Sequence, residues 1–228
     1  ITPDTKGKKY IALTFDEGPS SRTSEILDIL KEKDAKATFF VSGDKVAAAP
    51  AAVKAIAESG NELGTNAYSD VNLGELSASD LRSQLSDSFA AVKKAGGGKV
   101  SLVRPPFGEF SEQNWADAMD MVSAVVSWNV DSGDWLLPGA ATVADTVVGS
   151  VRNGSIVLLT DNETTCAQTV EALPQIIDRL QAEGYELVTL SEMIATDDDL
   201  KDLVDLSKVR MPKKASLPVV QKDSEQGE

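Results

Sequence analysis

Short apolar and β-branched runs alternate along the chain with longer stretches in which apolar side chains recur every three or four positions. The first run, Tyr10-Ile11-Ala12-Leu13, is apolar without a break, the pattern of a strand buried on both faces, as in a parallel sheet. It runs into Asp16, Glu17 and a Gly18-Pro19 turn. Across residues 20–33, Ile26, Leu27, Ile29 and Leu30 share one helical face, with Ser20 or Ser21 available as a cap. A strand follows at 37–41. Pro50 then suits the first turn of a helix through Val53 and Ile56, and Gly60 suits its left-handed end. A short third strand is expected at 62–64. Ser77 and Asp80 open a helix that buries Leu81, Leu85, Phe89 and Val92 and stops at Gly96-Gly97-Gly98. The fourth strand, 100–103, ends at Arg104-Pro105-Pro106, since proline has no N–H for a ladder.

The second half repeats the alternation. A helix over 111–121 leads to a strand over 122–128, a helix over 142–151 to a strand over 156–159, and a helix holding Val170, Leu173, Ile176, Ile177 and Leu180 to a strand over 185–190. Pro174 in the last helix predicts a kink or a broken first turn. Strands separated by helical crossovers make a parallel α/β architecture. Unusual polar residues fall at the C-terminal ends of five strands: Asp16 and Glu17, Asn66 and Asp70, Arg104, Asp131 and Asp134, Thr160 and Asp161. An open sheet would gather them at one switch point, whereas five strand ends describe a ring around a barrel mouth. The expected fold is therefore α/β, a distorted, incomplete (β/α) barrel with about seven parallel strands. It occupies residues 1–195, and 196–228 read as an acidic, then Lys-Pro-rich, tail or linker.

Composition narrows the function. With 228 residues and 42% hydrophobic content, one domain can bury a full core. A net charge of -14 argues against nucleic acid and anionic membrane surfaces, whose binding needs Lys and Arg. No apolar run is long enough to cross a bilayer. The start at Ile1-Thr2-Pro3 fits a processed product whose targeting segment is not shown, which leaves an extracellular or cell-envelope location open. Cys166 is alone, so no internal disulfide forms. Histidine is absent altogether, which removes the usual zinc ligand and the usual acid–base group near neutral pH.

The ordered segments TFDEGP (14–19), ELGTNAYSDVNL (62–73), RPPFGEF (104–110), WNVDSGDW (128–135) and SIVLLTDN (155–162) resemble the five motifs of the NodB-type polysaccharide deacetylases, carbohydrate esterase family four. The resemblance spans residues 9–194 and implies a divalent metal, usually zinc, held by one aspartate and two histidines. Asp16 matches the base. The ligand aspartate is replaced by Glu17, and the two ligand histidines by Asn66 and Asp70. The general-acid histidine is replaced by Thr160, directly before Asp161. Arg104 matches the arginine expected to hold the base, and the Phe107 backbone N–H the oxyanion contact. Asp131 and Asp134 fall in the motif whose acid orients the catalytic histidine, while Trp135 and Leu158 match apolar walls around the acetyl methyl.

Metal-assisted amide hydrolysis needs a cation that acidifies water and an acid that protonates the leaving amine. A threonine hydroxyl has no proton to give near neutral pH, and the nitrogen donors of zinc are gone. The leading expectation is a glycan-binding or cell-envelope relative without catalysis and without a cofactor, zinc included, whose partner is an acetylated glycan or cell-wall polysaccharide. Tyr68, Phe107, Phe110, Trp115 and Trp135 supply candidate aromatic faces. The alternative is an active carbohydrate de-N/O-acetylase, because Glu17, Asn66 and Asp70 with Asp16 form an all-oxygen set that suits Ca²⁺, Mg²⁺ or Mn²⁺ better than zinc. Without a cation, carboxylates about 4 Å apart repel by roughly 4 kcal/mol at an effective dielectric of 20 and need a counter-charge such as Arg104. A third expectation is an envelope interaction protein whose contact is the tail beyond Thr196.

Overall fold

The computed structural model describes residues 2–204. Among the described residues eight strands are present: β1 (Tyr10–Gly18), β2 (Ala37–Val41), β3 (Glu62–Thr65), β4 (Leu102–Val103), β5 (Ala124–Val125), β6 (Val130–Asp131), β7 (Ser155–Thr160) and β8 (Glu186–Leu187). Between them lie α1 (Thr23–Glu32), α2 (Gly43–Ala48), α3 (Pro50–Glu58), α4 (Ala78–Lys94), α5 (Glu112–Ala118), α6 (Ala140–Ser150) and α7 (Cys166–Ala182), with α8 (Leu190–Ile194) last. The sheet runs β5-β4-β3-β2-β1-β7-β6, with β8 beside β1 off this path. Every pairing is parallel.

The connection between the two edge strands dictates the curvature. Six strand spacings of about 4.8 Å would set β5 and β6 roughly 29 Å apart in a flat sheet, yet the steps from Val125 to Val130 reach at most about 18 Å. The sheet must curl until its edges approach, giving the half-barrel. Here the structure corrects the sequence reading. The expected strand over 122–128 shortens to β5 at one edge, because the chain leaves that edge after Val126 and crosses the seam to β6 at the other. Val126 N–H still reaches Val103 O at 2.8 Å, and three residues later Asn129 N–H reaches Ile156 O at 3.1 Å on the other edge.

Period-two alternation sorts β1 onto two faces. Ile11, Leu13 and Phe15 join Phe39, Val41, Val157 and Leu159 in a core packed under Ile26, Leu30, Val143, Val147, Leu173 and Ile177 from the helices. Ala12 faces inward with Phe40, Leu102 and Val126, and α8 fills that interior from below with Leu190, Met193 and Ile194. Thr14 and Asp16 continue the inward face upward, so the barrel is apolar at its base and polar at its mouth.

Several local expectations shift. Ser20 and Ser21 do not cap α1: its flanking residue is Arg22, which makes no side-chain cap bond, and the Ser20 hydroxyl is used elsewhere. Pro174 lies inside α7, which neither starts nor stops there. The strand over 185–190 shortens to two residues, because Thr189 and Glu192 form a reciprocal capping box that starts α8. Residues 196–204 lie against the N-terminal segment: Asp4 N–H donates to Asp197 Oδ2 at 2.8 Å and Thr196 Oγ1 donates to Asp4 O at 3.0 Å. The remainder of the expected tail, 205–228, lies outside the described residues.

Candidate functional site

Asp16 ends the inward face of β1 and is buried. Its partner Arg104 enters from the segment after β4, is fully buried, and donates from Nη1 to Asp16 Oδ1 at 2.8 Å and to Thr14 Oγ1 at 2.5 Å. Arg104 also donates from Nε to Val126 O at 3.3 Å and from Nη2 to Ser127 O at 3.2 Å, and its guanidinium lies over the rings of Phe40 and Trp128. One side chain thus ties the carboxylate to the segment that crosses the seam. Burial outweighs the nearby guanidinium and pushes the Asp16 carboxyl up to about 6, with the charges of Glu17 and Asp134 adding to the rise. Burial also pulls Arg104 below its ordinary value, but a guanidinium starts so high that it keeps its proton.

Across the mouth, Asp134 is fully buried in a turn after β6. Its Oδ2 accepts from Thr160 N–H at 2.8 Å, Thr160 Oγ1 at 3.0 Å and Thr169 Oγ1 at 2.7 Å. Its Oδ1 accepts nothing, the one buried side-chain polar atom without a partner among the described residues. Burial raises the Asp134 carboxyl above its ordinary value. Thr160 is itself buried, and its hydroxyl is shared with Thr165. Asp161 next to it is fully buried and accepts from Ser20 Oγ and Thr23 Oγ1, both at 2.6 Å. A Cβ at Gly18 would come within 2.5 Å of Asp161 Oδ2, so this approach needs a glycine.

The positions that match metal ligands do not form a comparable cluster. Glu17 Oε2 accepts from Asn162 Nδ2 at 2.7 Å, and Asn66 Nδ2 donates to Arg104 O at 2.8 Å. Asp70 is exposed. Among the described residues, no group of three or more His, Cys, Asp or Glu side chains is placed to hold a metal ion. One carboxylate bound to an amide, one amide bound to a carbonyl and one exposed carboxylate do not fit zinc, which wants imidazole or thiolate in a closed tetrahedron.

The remaining candidates divide. Phe107 is 67% exposed and left-handed (φ 62), and Trp135 is 54% exposed with its Nε1 donating to Asp131 Oδ1 at 3.2 Å. Asp131 is exposed and holds that local turn, accepting also from Gly133 N–H at 2.9 Å. Leu158 is buried in β7. Tyr68 packs over Gly43, beside a groove shared with Val46, Pro50 and Asp87, and Phe110 packs into the cluster around Leu73 and Leu81. Four side chains of the mouth were given no role by sequence reasoning, Thr23, Lys45, Asn162 and Thr169, and Ser20 was expected only as a helix cap. Asn162 had a detectable signal, an Asx residue just before a helix, and its Oδ1 accepts from Thr164 N–H at 2.9 Å and Thr165 N–H at 3.0 Å ahead of α7. Lys45 had none.

Comparison with known proteins bears on this site. The polysaccharide deacetylase family model matches residues 4–125. The peptidoglycan-N-acetylglucosamine deacetylase of Bacillus cereus is 35% identical over 196 residues, 85% of this chain and 71% of that protein. The peptidoglycan-N-acetylmuramic acid deacetylase PdaC of Bacillus subtilis is 35% identical over 82% of this chain, which spans only 39% of that relative's length. Among solved structures, BA3943 of Bacillus anthracis, described as a CE4 family pseudoenzyme, superposes with a TM-score of 0.76 at 30% identity, covering 82% of this chain and 66% of that one. A mutant of it is described as having restored enzymatic activity.

Proposed function

Because the chain belongs to the polysaccharide deacetylase family, its site poses the question of what survives without histidine, and we propose that it binds an acetylated cell-wall glycan and does not hydrolyse it. Its place on this reading is the cell envelope or the extracellular space. The observation that carries the reading is the occupation of the ligand positions. Glu17 and Asn66 are hydrogen-bonded within the chain and Asp70 is exposed, so no donor set stands ready for zinc. At the general-acid position Thr160 can pass no proton near neutral pH, and the carboxylate beside it has an oxygen with no donor. Zinc, where relatives of this fold hold it, would acidify water and polarise the acetyl carbonyl; the donors here do not fit it. What remains suits recognition. Phe107 and Trp135 leave the C-terminal ends of β4 and β6 with exposed rings, and aromatic faces stack on sugars. Asp16 and Arg104 keep a fixed, buried ion pair at the mouth. The relatives named for peptidoglycan support the choice of an acetylated wall glycan.

The test is calorimetric titration of the purified chain with acetylated chito-oligosaccharides and soluble peptidoglycan fragments, with acetate release followed in parallel. Saturable binding that weakens by roughly tenfold in Trp135→Ala is expected, that being the scale of a truncated aromatic anchor, with no acetate released whether zinc is present or not. Acetate release above the buffer rate sinks the proposal.

One observation favours a second reading, an active de-N/O-acetylase using Ca²⁺, Mg²⁺, Mn²⁺ or an altered mechanism. Asp16, pushed up to about 6 beside Arg104, has the affinity for protons that a base near neutral pH requires. Acetate release that depends on one of those cations, and is lost in Asp16→Asn, would establish it.

A further inference from the structure

The end of β1 has to be held in place. Glu17 adopts a left-handed backbone (φ 67), which a side-chain-bearing residue rarely takes up and which persists only where surrounding contacts enforce it. Two contacts do so from the two strands that flank β1. Lys45, on α2 just after β2, donates from Nζ to the Glu17 carbonyl at 2.6 Å. Asn162, two residues beyond the end of β7, donates from Nδ2 to the Glu17 carboxylate at 2.7 Å. Asn162 stands between Asp161 and Glu163, so its neutral amide interrupts a run of three positions that would otherwise all carry carboxylates. A cation bound among carboxylates and carbonyls does the same two things, neutralising the side chain and fixing the backbone oxygen.

We propose that Lys45 and Asn162 are positioning residues that hold the Glu17 end of β1 in place of a bound cation, Lys45 on its carbonyl and Asn162 on its carboxylate. The proposal rests on the reading above that the site does without metal. It assigns the stability of the mouth to two named donors, and it makes Asn162 the residue that keeps the cluster from attracting a cation. Replacing that amide by a carboxylate sets two carboxylates against each other with no donor between them, the situation a hard divalent ion relieves.

Asn162→Asp isolates this role, because the retained oxygen still accepts from Thr164 and Thr165 ahead of α7 and only the donor to Glu17 is lost. Thermal unfolding of the full chain would be followed in EDTA and in millimolar Mn²⁺, Ca²⁺ or Zn²⁺, with calorimetric titration of each ion. For the unsubstituted chain, no change in melting temperature with EDTA or cation is expected. Asn162→Asp should melt lower in EDTA, recover on adding Mn²⁺ or Ca²⁺, and bind that ion about tenfold or more tightly than the unsubstituted chain, charge count being what tunes such sites. The double variant Glu17→Gln with Asn162→Asp should lose the response. Lys45→Met should melt lower, with Lys45→Arg restoring most of the loss. If Asn162→Asp does not fold in EDTA, refolding on adding Mn²⁺ supplies the same readout. An Asn162→Asp chain without cation response, or a Lys45→Met chain of unchanged stability, overturns the assignment of these residues and leaves the glycan-binding reading standing. Stoichiometric cation binding by the unsubstituted chain, reversed by EDTA, overturns both.

Discussion

Asp16 and Asp134 are buried aspartates on the same barrel rim, and their surroundings treat them in opposite ways. Asp16 faces a buried guanidinium at 2.8 Å that is itself fixed by two carbonyls and two aromatic rings. Asp134 has hydroxyls and a backbone N–H on one oxygen and nothing on the other. Asp161 stands between the cases, with a hydroxyl on each oxygen and no cation in contact. A buried carboxylate survives unchanged when its counter-ion also braces the fold, because losing either partner leaves a charge stranded in low dielectric. A carboxylate with no cation in contact can be left half-satisfied, since burial favours its neutral form. The difference teaches that a buried carboxylate is fully partnered where its counter-ion also braces the fold.

Removing Arg104 should break this contrast most severely. Arg104→Met strands Asp16, frees Val126 O and Ser127 O, and is expected to cost about 3–5 kcal/mol in urea unfolding, while Asp16 titrates above its present value of about 6. A loss under 1 kcal/mol, on the scale of an ordinary surface substitution, would mean that the seam does not depend on this side chain.

The pH dependence of the unsubstituted chain comes next. The folded Asp16 carboxyl holds its proton more tightly than the unfolded one, so its contribution to stability is greatest below about pH 4 and declines as pH rises toward about 6. The loss is on the order of 3 kcal/mol at 1.36 kcal/mol per pH unit, and Asp134 and Asp161, both raised by burial, act in the same direction. Urea midpoints measured across pH 4 to 7 read it directly. Stability that rises over this window would mean that Arg104 dominates burial at Asp16.

Gly18→Ala probes the third aspartate. The new methyl meets Asp161 Oδ2 at 2.5 Å and must displace a carboxylate bonded to Ser20 and Thr23. Overpacking of this kind costs typically 1–3 kcal/mol, a drop of about 2–4 °C in melting temperature per kcal/mol for a chain of this size. The smallest effect is expected at the orphaned corner. Asp134→Asn keeps an oxygen for Thr160 and Thr169 and replaces only the carboxylate oxygen that has no partner, so stability at neutral pH should stay within about 1 kcal/mol while the decline with pH becomes shallower. A loss comparable to that of Arg104→Met would show that Asp134 is charged and held by something the contacts at its oxygens do not explain.

Much of this was legible along the chain. The unbroken apolar run at Tyr10 to Leu13 foretold a strand buried on both faces, and β1 is an interior strand, between β2 and β7. Polar residues at five strand ends foretold a ring, because a strand delivers its last side chain to the rim whatever its neighbours are. Capping chemistry was equally local: Ser77 caps α4 by accepting from Asp80 N–H. The segment over 122–128 was not legible, since its valines satisfy a strand pattern on either edge of a sheet and only closure of the barrel decides that the chain must leave one edge and join the other.

The sequence by itself determined the alternation of elements, the absence of every imidazole and the matching of Asp16 and Arg104 to a family pattern, because these depend on residue identity and short spacing. Only the tertiary structure decided that Arg104 also braces the seam, that Asp134 Oδ1 has no donor, that Tyr68 packs over Gly43, and that Lys45 and Asn162 converge on Glu17. These rest on bonds between residues far apart in the chain and on a left-handed backbone at one glutamate. Neither leaves a periodic trace, because a side chain's partner is set by where the curled sheet brings strand ends together and not by its neighbours in sequence.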